Sequence, residues 1–146
     1  MQKRENALKI TVVGCGRWGS CIAWYLDSVG HDVTLYGRES SPHYAAFLKD
    51  RTNGLVTLPE SIGLLCDLKE ALRRSDTIVL SIGAQSLRSF MREASRYPLE
   101  NKDFVLCIKG IEIESGKLLH EVMAEFLPPS CRVAVWVGPG HVQEFV

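Results

Sequence analysis

Two kinds of hydrophobic stretch alternate along the chain. Short β-branched or aliphatic runs lie at residues 10–13, 33–36, 62–66, 76–83, 104–108 and 132–137. Between them, apolar residues recur every three or four positions, the spacing of one helical face. Residues 17–29 carry Trp18, Ile22, Tyr25, Leu26 and Val29 in that register, closed by Gly30. Residues 86–96 place Leu87, Phe90, Met91 and Ala94 together. The clearest period is Leu118, Leu119, Val122, Met123, Phe126 and Leu127, stopped by Pro128 and Pro129. Asp67-Leu68-Lys69-Glu70 opens a short helix through Arg74 as a capping box. Residues 40–60 read as a loop-rich crossing with one or two helical turns near Tyr44 to Leu48, because Asn53-Gly54 and Pro59 break the pattern. Strands and helices of these lengths in alternation predict an α/β chain: a doubly wound, mostly parallel sheet of Rossmann type with helices on both faces. With 146 residues the chain is one such domain, 1–146.

The joint between the first strand and the first helix carries the candidate chemistry. Val13 runs into Gly14-Cys15-Gly16-Arg17-Trp18-Gly19, three glycines at GxGxxG spacing. In that context Gly14 makes the tight turn, Gly16 admits a pyrophosphate close to the backbone, and Gly19 lets the helix pack. The unpaired N–H groups of the helix start then face the phosphates. Cys15 stands where a helix N-terminus could activate a thiol, yet no His or carboxylate sits at a spacing that makes it catalytic, so it reads as a small loop residue.

Seventeen basic and seventeen acidic residues cancel, which leaves no electrostatic footprint for nucleic acid or an anionic membrane. Five cysteines without a CxxC pair point to reduced thiols in a cytoplasmic protein, and their spacing from the four histidines gives no metal site. Met1 to Ala7 is polar, and no stretch has the length of a membrane span.

The second strand ends at Tyr36-Gly37-Arg38. A fold selective for NAD carries an acid there, about 20 residues past the glycines. A glycine followed by a guanidinium favours a 2'-phosphate instead, so NADPH is expected ahead of NADH. The alternative is that Arg38 is a solvated loop cation and Glu39 the acid. Ligands of such sheets lie beyond the carboxyl ends of the strands. The glycine turn, Arg38, Ser81 to Gln85, Lys109 and Gly138 to His141 all fall at that end. Lys109 closes a buried strand, where it either meets an anion or carbonyl in the crevice or snorkels to water.

Three segments in the same order, Gly14-Cys15-Gly16-Arg17-Trp18-Gly19, Ile108-Lys109-Gly110-Ile111-Glu112 and Gly138-Pro139-Gly140-His141-Val142-Gln143-Glu144, resemble the N-terminal domain of the NAD(P)-dependent glycerol-3-phosphate dehydrogenases. The resemblance implies that Arg17 and Trp18 lie beside the pyrophosphate, Arg38 near the adenosine ribose or its phosphate, and Val142 near the nicotinamide. It implies that Lys109 reaches cofactor and substrate and that Gly138 and Gly140 line the pocket of a small phosphorylated substrate. It places the proton donor, and with it any confidently assigned catalytic residue, in a C-terminal helical domain that this chain lacks; a homodimer is compatible with it. The chain departs from the family pattern at Arg17 and Gly140, where serine is usual, at Val142, where a small residue is usual, and in Val79 to Gln85, which lacks the family's proline. A nucleotide-sensing module without catalysis and a related two-domain reductase acting on another substrate are the alternatives. Trp136 and Phe145 are candidates for an interdomain face, with Trp136 expected in the sheet core.

Overall fold

The computed structural model describes residues 6–138 and 141–145 of the chain. Eleven regular elements follow in order: β1 Lys9–Val13, α1 Arg17–Ser28, β2 Asp32–Tyr36, α2 Pro42–Asp50, β3 Gly63–Leu65, α3 Leu68–Arg74, β4 Thr77–Leu80, α4 Leu87–Ala94, β5 Asp103–Leu106, α5 Leu119–Ala124 and β6 Arg132–Val135. Single 3₁₀ turns precede α4, at Ala84–Ser86, and follow β6, at Val142–Glu144. The sheet order is β3-β2-β1-β4-β5-β6 with every pairing parallel. Order reverses between β1 and β4, so a crevice opens beyond their carboxyl ends.

Alternation along each strand sorts side chains between two layers. Ile10, Val12, Val33, Leu35 and Val79 pack with Cys21, Ile22 and Ala23 of α1 and Tyr44 and Phe47 of α2. Val13, Ile78, Leu80, Phe104 and Leu106 pack with α3, α4 and α5 on the opposite face. Polar side chains tie the amino ends: Thr11 Oγ1 donates to the Ala71 carbonyl, and buried Lys102 Nζ donates to the Ser75 carbonyl, at 2.9 and 2.8 Å. Such bonds satisfy groups that would be costly if buried alone.

Several elements differ from the expectation. The crossing after β2 holds a full helix, α2, because Ser41 caps it by accepting the Tyr44 amide and Pro42 suits its first position. Asp67 caps α3 by accepting the Glu70 amide, while Glu70 pairs with Arg73 rather than reaching back. Helix α5 spans only Leu119–Ala124, and Phe126 and Leu127 continue as turns bonded to the Met123 carbonyl. In α1 the buried run is Gly19 to Ala23, whereas Tyr25 is 51% exposed, so the apolar period marks its face only in part.

The largest correction concerns β6. Its four residues are all exposed, and Trp136, expected in the sheet core, is 56% exposed. The reason is position: β6 is the edge strand. On the α1 and α2 side, half-buried Val105 and Cys107 of the adjoining β5 segment mark where the covering layer ends.

Candidate functional site

At the end of β1 the chain turns through Gly14, whose φ of 115° is a left-handed value that favours glycine. Its amide donates to the Tyr36 carbonyl at the end of β2. A Cβ at Gly14 would stand 2.1 Å from the Ser81 carbonyl oxygen, and one at Gly19 only 1.9 Å from the Gly14 carbonyl oxygen. These two glycines therefore pack the turn between α1 and the end of β4. Gly16 differs. A Cβ there meets nothing within 4 Å, its φ is −69°, and it is the N-cap of α1 with no side-chain cap. The first turn of α1 holds no acidic residue, so its free N–H groups and partial positive charge face open space. That combination fits a dinucleotide pyrophosphate.

Around this turn the expected residues take distinct places. Arg17 is exposed, and Trp18, 39% exposed, stacks obliquely on Phe145 with ring centroids 5.9 Å apart. Val142 is buried in the layer beneath α1, so its side chain supports the turn from below. Cys15 is buried, and burial pushes its thiol up to about 12. The thiol is thus neutral and closed off, as a packing residue should be. Alkylation at pH 8 is expected to label exposed Cys66 and spare Cys15, which peptide mapping by mass spectrometry reads directly.

Arg38 is exposed beyond the end of β2. Gly37 before it is enclosed: a Cβ would lie 2.3 Å from Cys15 Sγ and 2.9 Å from Tyr44 Cδ2. Lys109 is exposed past the end of β5, where with Leu106, Ile108, Leu119 and Val135 it lines a cleft of about 220 Å³ between β5, α5 and β6. Gly138 is exposed, whereas Gly140 lies outside the described residues.

At this end the fold joins two loops through residues far apart in the chain. The segment after Lys109 is tied to the β4–α4 turn by Gln85, whose side chain donates to the Ile111 carbonyl and accepts from the Ile113 amide, each at 2.9 Å. Arg88 of α4 pairs with Glu112 and Glu125. With partners 24 to 37 residues away, these pairings leave no local mark in the sequence, which puts Gln85 at this end of the strands but does not single out Arg88.

A six-stranded parallel sheet in this order, with a glycine turn opening its first helix at the switch point, defines a Rossmann-type dinucleotide-binding domain. Residues 9–146 match the family model described as NAD-dependent glycerol-3-phosphate dehydrogenase N-terminus, and the chain belongs to that family. A glycerol-3-phosphate dehydrogenase [NAD(P)+] of Chlorobium phaeobacteroides is 36% identical over 144 residues, covering 94% of this chain and 43% of the relative. That of a Thermoanaerobacter species is 33% identical, covering 95% and 42%. The crystal structure of glycerol-3-phosphate dehydrogenase from Coxiella burnetii superposes with a TM-score of 0.84 at 26% identity, over 94% of this chain and 43% of that one. The chain thus spans less than half the length of these relatives.

Proposed function

We propose that this chain is the cofactor-binding part of an enzyme that interconverts dihydroxyacetone phosphate and sn-glycerol 3-phosphate with NADPH or NADH. One observation carries the reading: the uncapped start of α1 stands behind a glycine turn whose middle glycine alone faces open space. Family membership over residues 9–146 supports the substrate class. When bound, the nicotinamide supplies the hydride chemistry.

The chain's own residues bind and orient. Backbone amides after Gly16 hold the pyrophosphate, with Arg17 and Trp18 flanking it. Arg38 meets a 2'-phosphate on the adenosine ribose, which ranks NADPH ahead of NADH. Lys109, with Gly138 and Gly140 across the crevice, faces the phosphorylated substrate and stabilises negative charge developing on its C2 oxygen. The proton donor belongs to the remainder of the parent protein, which meets the uncovered edge strand β6 and the exposed Trp136 and Phe145 beside it. No residue of this chain is assigned as proton donor, and the chain alone turns over little or no substrate. Among the described residues no helix is long and apolar enough to cross a membrane. Five free thiols are in keeping with a cytoplasmic setting.

Calorimetric titration with NADPH and NADH at one salt concentration tests this reading. NADPH is expected to bind more tightly, and Arg38→Glu to weaken it about tenfold while sparing NADH. Absence of binding for both nucleotides would overturn the reading.

A further inference from the structure

The geometry points to Gln85 and Arg88 as positioning residues for Lys109: they fix residues 111–113 just after it and thereby set where its ammonium stands in the crevice. The inference rests on the reading of Lys109 as a group that touches cofactor and substrate.

Lys109 follows buried Ile108 and precedes Gly110, which turns the chain with a φ of 109° beside Ala84 of the β4–α4 turn. The next three residues are held one by one. Ile111 accepts from the Gln85 amide nitrogen and Ile113 donates to the Gln85 amide oxygen. A primary amide offers a donor and an acceptor at once, which neither a carboxylate nor an ammonium does. Between them Glu112 turns inward, 6% exposed, and takes a two-point contact from Arg88 Nε and Nη2 at 2.7 and 2.9 Å. The Ser115 hydroxyl also donates to Glu112. The other edge of Arg88 meets Glu125, which Lys117 approaches at 2.6 Å, while the guanidinium lies over the Phe126 ring. Arg88 and Ser115 together hold the Glu112 carboxyl below the usual carboxylate range. Backbone bonds between Glu112 and Lys117 close the segment on itself.

This staple contributes little to core stability. Gln85 and Ile111 are exposed, and Ile113 is 79% exposed, so the two amide bonds compete with water. Their effect is geometric. They join the two loops that form this wall of the crevice, one after β4 and one after β5, so that Lys109 stands between buried Ile108 and a turn held at residues 111–113.

The test is a double-mutant cycle read by NADPH affinity of the chain. Lys109→Met alone is expected to weaken binding about tenfold, and Gln85→Leu alone about fivefold. In the Lys109→Met background, Gln85→Leu is expected to change affinity by less than about 1.5-fold, because its effect passes through Lys109. Arg88→Lys, which keeps the charge and loses the planar fork, should show the same dependence on Lys109. Thermal melts confirm that each variant folds. Equal losses in both backgrounds, or no loss from Gln85→Leu and Arg88→Lys, would overturn the positioning role and leave the reading of Lys109 standing. Unchanged affinity in Lys109→Met, or no binding by the unsubstituted chain, would overturn that reading and the inference with it.

Discussion

Alanine at Gly16 is expected to leave the melting temperature almost unchanged and to weaken NADPH binding at least tenfold, whereas alanine at Gly19 lowers the melting temperature by roughly 10 °C. The two residues lie three apart in one motif, yet they meet different surroundings. A Cβ at Gly16 touches nothing of the protein, and φ of −69° with ψ of −174° suits any L residue. Its methyl would occupy only the space through which phosphate oxygens approach the backbone. A Cβ at Gly19 lies 1.9 Å from the Gly14 carbonyl oxygen. The Gly14 carbonyl is backbone and a Cβ is fixed rigidly to the α1 backbone, so relief requires opening the turn or shifting α1, a cost of about 3 kcal/mol. Thermal melts and calorimetric titration of the two variants separate binding from packing. If Gly16→Ala binds NADPH as well as the unsubstituted chain does, the motif serves packing alone.

The motif was legible because its meaning is local. A β-branched strand, glycines at fixed spacing and an amphipathic helix constrain one another within twenty residues. The parallel sheet was legible for the same reason, since the hydrophobic pattern switches period at each crossover. Burial was less so. Residues 132–137 have the composition of an interior strand, but β6 is the sheet edge and its residues are exposed. Whether a strand is covered depends on elements elsewhere in the chain, which strand composition does not encode. The Gln85 and Arg88 staple stayed hidden because every partner is distant in sequence, and a polar helix position looks alike whether it faces water or a buried carboxylate. The spacing located Gly37 at the cofactor-selective position, but the neighbours that close it, Cys15 and Tyr44, emerged only with the fold.

That enclosure sets the outcome of placing an acid at the end of β2. Gly37→Asp would place an acid where NAD-selective domains carry one, yet it is expected to destabilise the chain by about 3 kcal/mol and not to create NADH preference. The new Cβ would lie 2.3 Å from Cys15 Sγ, 2.9 Å from Tyr44 Cδ2 and 3.0 Å from Tyr44 Cβ. Both neighbours are buried, Cys15 at 5% and Tyr44 at 4% exposure, so neither can withdraw into solvent. Adding Cys15→Ala removes the shortest of these contacts and should recover part of the lost stability, while the Tyr44 contacts persist. Arg38 presents the opposite case. It is exposed beyond the strand end, so Arg38→Glu should leave stability within about 0.5 kcal/mol while removing the NADPH preference. Denaturant midpoints paired with titrations by both nucleotides distinguish the two positions. A stable Gly37→Asp chain that prefers NADH would show that Cys15 and Tyr44 yield, and that selectivity is read at position 37 rather than 38.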